Sequence, residues 1–232
     1  MTEGMLVAAR SIALSYAADV GSMTATSAPS SINDSDDIDA STKDVVSMLE
    51  DTPALFHNWD AILLACYSVH TLVPVLSSAL QIPVMGIFEA SILASLSLVN
   101  STGKWGIVTT GSFWEKHLSD GVHQFLGTDP TSSNLKFAGV FSSGLSAGDF
   151  HTKTQTEVDQ KLTAATRELL NTGNVICVVM GCGGMAGLED VIRATAREVY
   201  GKTKAENLYI VDGIKAGVMQ LHQAYNCGKL FR

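Results

Sequence analysis

Six short apolar runs, with helical stretches between nearly all of them, leave few folds open to this 232-residue chain. They fall at Ala61-Ile62-Leu63-Leu64-Ala65, Pro83-Val84-Met85-Gly86-Ile87, Trp105-Gly106-Ile107-Val108, Phe137-Ala138-Gly139-Val140, Val175-Ile176-Cys177-Val178-Val179 and Leu208-Tyr209-Ile210-Val211. Runs of this kind are typical of parallel strands covered on both faces. Strand and helix in alternation specify βαβ units, whose crossovers are almost always right-handed. The predicted class is α/β, with mainly parallel sheets flanked by helices. Ahead of the first run, Met5, Leu6, Ala9, Ile12, Ala13, Tyr16 and Ala17 recur at helical spacing and predict an amphipathic helix. Ser22 to Ala28 reads as a short strand, Ser30 to Lys43 as an exposed polar loop, and Asp44 to Glu50 as a helix.

Composition narrows the function classes. With 46% hydrophobic and 16% charged residues the chain can bury a large core and is not a disordered one. A formal net charge of -8 without a Lys/Arg cluster argues against nucleic acid and anionic membranes as partners. The most apolar region, Ala54 to Val99, is interrupted by His57, Asp60, His70, Gln81 and Glu89, so no membrane-spanning run is expected. The opening Met1-Thr2-Glu3-Gly4 lacks the layout of a signal peptide, and the chain is read as cytoplasmic.

Thiols stay reduced in that compartment, so Cys66, Cys177, Cys182 and Cys227 point to reactivity or burial more than to disulfides. Their spacing contains no Cys-x-x-Cys pair and gives no metal site. Cys177 lies inside an apolar run and reads as core, and Cys227 as a loop or packing residue. Cys66 and Cys182 each follow a predicted strand and precede small or polar residues, at the carboxyl edge where open α/β folds bind ligands. A following helix start is expected to bring such a thiol toward neutrality. Two opposed thiols suit inversion of a carbon acid, one removing a proton while the other supplies one from the opposite face. Backbone N–H groups of Tyr67, Ser68, Gly183 and Gly184 are candidates to stabilise the enolate, and no cofactor is then needed. The Gly181 to Gly187 stretch lacks the Gly-Lys-Ser/Thr ending of a phosphate loop. His117 and His123 read as surface or packing residues, and His70, four residues after Cys66, as a bystander to the thiol.

Four segments then stand out together: Asp60 to Ser68 (DAILLACYS), Pro83 to Ala90 (PVMGIFEA), Gly106 to Gly111 (GIVTTG) and Val178 to Leu188 (VVMGCGGMAGL). In combination they resemble the aspartate/glutamate/hydantoin racemase superfamily, and within it the hydantoin and allantoin racemase branch with its fungal relatives. The resemblance implies two pseudo-symmetric lobes, 1–97 plus 205–232 and 98–204, with the active site in the cleft between them. It also implies cofactor-free proton transfer on a small cyclic ureide, a 5-substituted hydantoin or allantoin. Cys66 and Cys182 become the acid/base pair, Thr109 and Thr110 a substrate-binding element, and a homo-oligomer fits the family. Glu89 stays open between a site role and capping a helix. An isomerase or decarboxylase of the maleate or arylmalonate type, and a non-catalytic small-molecule binder, are the alternatives. Family members begin with a strand ending in an Asn-Pro-Asn-Thr/Ser type of segment, whereas this chain enters its first helix directly. The first strand of lobe 1 is therefore expected to be missing, at a cost in stability and activity.

Overall fold

A computed structural model describes residues 3–129 and 135–231, so Met1 and Thr2 of the opening segment lie outside it. The chain begins with α1 (Glu3–Ala13), which buries Ala8, Ala9 and Ala13 and runs into a single 3-10 turn at Leu14–Tyr16. The expected helix is thus shorter, because Ala17 takes a left-handed φ of 51° and stops it. Ser22 to Ala28 forms no strand. Its small and hydroxyl-bearing side chains give it little apolar face to fix a register, although Ala25 packs against the small buried cluster that holds Val45, Phe56 and Leu72.

The expected loop from Ser30 to Lys43 is mostly helix, since α2 spans Ser35–Asp51. Asp34 accepts a hydrogen bond from the Asp37 N–H at 3.0 Å, and Asp36 and Asp37 occupy the first turn. Carboxylates placed there satisfy orphan donors and face the positive end of the helix dipole, so a polar composition is no bar to a helix.

The remaining elements alternate as expected: α3 (Ala54–His57), β1 (Ile62–Leu64), α4 (Leu72–Ala79), β2 (Val84–Gly86), α5 (Ile87–Leu98), β3 (Lys104–Thr109) and α6 (Phe113–Leu126). Then come β4 (Phe137–Ser142), α7 (Asp149–Thr152), α8 (Gln155–Asn171), β5 (Val175–Gly181), α9 (Glu189–Tyr200), α10 (Lys202–Glu206), β6 (Tyr209–Asp212) and α11 (Gly213–Leu230). Each of the six apolar runs contains a strand. Among the described residues these form two sheets, β1-β2 and β4-β3-β5-β6, and every pairing is parallel.

Burial explains the near-continuous apolar runs. Along β5, Cys177 and Val179 join one core cluster while Val178 and Met180 join another, so both faces are covered. The first cluster spans the two sheets: Leu63 and Met85 pack into it from the smaller, Trp105, Ile107 and Val179 from the larger. Helix α5 supplies Phe88 and Ile92 to that shared layer and buries Ile87, Ala90, Ser91 and Ser95 as well, so it is covered nearly all round. The segment 205–231 is divided between the sheets. Strand β6 pairs with β5, and α11 crosses to pack on β1, β2 and α5.

Candidate active site

Both cysteines singled out in the sequence lie at carboxyl ends of strands, one in each sheet. Cys182 follows β5 directly, and its backbone leads into a 3-10 turn at Gly183–Met185. The strand must end in glycine here, because a Cβ at Gly181 would lie 2.6 Å from Ile107 Cγ2 and 2.8 Å from the Val108 carbonyl oxygen. Cys66 lies two residues beyond β1. The two ends meet at Gly183, where a Cβ would stand 3.4 Å from the Ala65 carbonyl oxygen and run into the Met5 methyl of α1. Met5 therefore covers the junction.

Both thiols are half-buried and unpaired with any other cysteine. Burial pushes Cys66 up to about 11, against a Ser68 hydroxyl that donates to its sulfur at 3.4 Å. Burial also pushes Cys182 up to about 11; a hydrogen bond from the Gly184 backbone opposes this, and Cys66 adds to it. The two sulfurs are thus within each other's electrostatic reach. The expected lowering by helix starts does not occur, and the reason is positional. Helix α4 begins only at Leu72 and α9 only at Glu189, so neither thiol sits on an α-helical N-terminus, and desolvation outweighs the local donors.

The predicted binding residues divide into two groups. Ser91 donates to the Phe88 carbonyl at 2.8 Å, so at 2.8 Å it accepts from the Tyr67 hydroxyl, which anchors Tyr67 to α5. Thr109 donates its hydroxyl to the Gly181 carbonyl at 2.7 Å and so fixes the peptide just before Cys182. These two hydroxyls are committed to the protein. Ser68 and Gly184 touch the thiols themselves, Gly183 touches the opposite strand end, and Thr110 is buried at the end of β3, its carbonyl accepting from Gly144.

Other candidates resolve as packing. Cys177 is fully buried and donates to Ser95 Oγ at 3.6 Å, whereas Cys227 is exposed on α11 and not in a loop. Glu89 folds back over Gly86 at the start of α5; burial raises its carboxyl, while the Glu89 and Gly86 N–H groups pull it down. Its Oε2 is nonetheless buried with no hydrogen-bond partner, so the helix start does not account for the whole carboxyl. His70 accepts from the Leu72 N–H at 3.2 Å, and burial pushes it down to about 4, against the pull of Asp39, so it is neutral and turned toward α4. His123 is buried with Nδ1 2.9 Å from Thr128 Oγ1, and His117 stacks on Phe113. Among the described residues no group of three His, Cys, Asp or Glu side chains is placed to hold a metal ion, and no helix is long and apolar enough to cross a membrane.

Two residues not foreseen also border the candidate site. Met5 is one. The other is Asp212, at the end of β6, which lines a narrow crevice together with Cys182, Gly183 and Ala186. The rule that picks out the cysteines would have found it, since Asp212 is a polar residue closing an apolar run before a glycine.

Parallel sheets around shared helices define an α/β protein, here with a cysteine beyond a strand end in each sheet. The chain belongs to the Asp/Glu/hydantoin racemase family, whose model matches residues 1–221. It is similar in structure to the allantoin racemase of Pseudomonas fluorescens, with a TM-score of 0.78 and 19% identity over 98% of this chain and 86% of that one. Glutamate racemase RacE1 of Bacillus anthracis gives a TM-score of 0.63 at 18% identity, over 97% of this chain and 79% of that one. At such identities the likeness is one of fold. An uncharacterised protein of Schizosaccharomyces pombe is 35% identical over 159 residues, 68% of this chain and 60% of that one. The chain therefore matches about 60% of the length of that curated relative.

Proposed function

We propose that this chain inverts an acidic carbon of a small cyclic ureide, a 5-substituted hydantoin or allantoin, without a cofactor and with Cys66 and Cys182 as the acid/base pair. The observation that carries this reading is the meeting of the two strand ends at Gly183 and Ala65, which leaves the thiols near enough for one to raise the other. In the proposed cycle one cysteine, as thiolate, takes the proton from the ring carbon. The electron pair moves onto the adjacent carbonyl as an enolate, and the other cysteine delivers its proton to the opposite face. The enzyme ends with the two protonation states exchanged, ready for the enantiomer. Mutual repulsion favours this cycle, because once one thiol has ionised the second is held in its protonated form.

Ser68, Thr110, Gly183 and Gly184 would surround the ring, while Tyr67 and Thr109 hold the backbone that carries the cysteines. A ring seated between the strand ends must displace Met5, which an unbranched, flexible side chain allows. The assay is proton NMR of a chiral hydantoin or allantoin in deuterated water. Loss of racemization by about a thousandfold is expected in both Cys66→Ser and Cys182→Ser, with exchange of one enantiomer surviving in each. Wild-type rates in either variant would refute the two-cysteine scheme.

A further inference from the structure

Asp212 is 5% exposed and caps α11: its Oδ1 accepts from the Ile214 N–H at 2.8 Å and the Lys215 N–H at 3.0 Å. Its second oxygen, Oδ2, is buried and has no hydrogen-bond partner. A buried carboxyl oxygen left without a donor is costly, and such atoms in a folded protein call for an explanation. Next to it lies a narrow crevice, closed in this state even to water, that Asp212 shares with Met180, Cys182, Gly183 and Ala186 and that a substrate would have to open. Among the described residues lining that crevice none is cationic. The nearby ammonium of Lys215 is held by Glu189 at 2.9 Å.

We infer that Asp212 is a binding residue that selects the substrate, its Oδ2 accepting a hydrogen bond from an N–H next to the carbon being inverted. The inference rests on the racemase reading and deepens it. An acceptor oxygen beside Cys182 fits a ring N–H. With no cation lining the crevice and the Lys215 ammonium already paired with Glu189, the same place disfavours dicarboxylic amino acids, whose extra carboxylate would face Asp212. A neutral ureide meets both conditions, since it offers N–H donors and carries no carboxylate. The position at the end of β6 also explains why one aspartate can serve two ends: Oδ1 fixes the side chain on the helix start, leaving Oδ2 without a partner in the protein.

The test compares a 5-substituted hydantoin with its N1-methyl analogue, in which the N–H beside the reacting carbon is gone, using deuterium exchange by wild type and Asp212→Asn. Asparagine keeps an oxygen for the helix cap but offers an NH2 where the acceptor stood. Wild type is expected to prefer the free N–H ring by about tenfold or more in kcat/KM, and Asp212→Asn to lose most of that preference through KM. Its urea midpoint should match wild type, and Asp212→Ser, which keeps a capping oxygen but cannot reach the crevice, should lose the same preference. Equal losses on both rings, or no loss on either, would overturn the assignment while leaving the racemase reading intact. A wild-type protein that exchanges neither ring overturns the racemase reading and this assignment with it.

Discussion

The strand end that bears Cys182 and the one that bears Cys66 are built differently. Strand β5 has seven residues, a neighbour on each side and nearly complete burial, and the chain turns at once after it. Strand β1 has three half-buried residues paired to β2, and Tyr67 to Thr71 intervene before α4 begins. The first thiol is therefore placed by a sheet, the second by individual bonds: Ser68 to its sulfur and Tyr67 to Ser91. A site assembled from one rigid and one locally pinned wall can hold its reference point while adjusting to what it binds.

The contrast can be broken most directly through pH, because both ends share one property despite their construction. Burial leaves both thiols protonated near neutrality, and for an acid with a raised pKa the base form grows tenfold per pH unit below it. Between about pH 7 and pH 9 kcat/KM should rise roughly a hundredfold. A profile that is flat over that range would mean that an ionised thiol is already present. Stability moves the other way. Cys66, Cys177 and Cys182 are raised from 9.0 to about 11, so their contribution is intact below 9.0 and is lost as pH climbs toward 11.

A smaller effect should separate the two sheets. Ile107 in β3 is fully buried whereas Ile62 in β1 is half-buried. Ile107→Ala is expected to cost about 3 to 4 kcal/mol and Ile62→Ala about 1 to 2 kcal/mol, read from urea midpoints. Equal costs would mean that the smaller sheet is as tightly held as the larger. The smallest effect is expected at Cys177, inside β5 but away from its end: Cys177→Ala should cost about 1 kcal/mol and leave the racemization rate unchanged.

Much of this was legible in the sequence because apolar runs record burial, and burial on both faces requires a parallel sheet between helices. The strand-end cysteines could be read for the same reason. What could not be read depends on distance along the chain or on charge. The helix over Ser35 to Lys43 was hidden by its polar composition, although Asp34 and the acidic first turn are the signature of its start. The strand expected at Ser22 to Ala28 failed because pattern alone supplies no pairing edge. The thiol shifts run opposite to the sequence expectation because no α-helix begins at either cysteine. Asp212 is legible by the same strand-end rule as the cysteines, but its unpartnered second oxygen shows only in three dimensions.

The placement of β6 in one sheet and of α11 against the other has a mechanical consequence. The last stretch of chain works as a rivet through two plates: pulling it out would strip an edge from the larger and the cover from the smaller in the same motion. Neither half can then open without exposing apolar surface on its partner, so the molecule should come apart in a single cooperative event and not lobe by lobe.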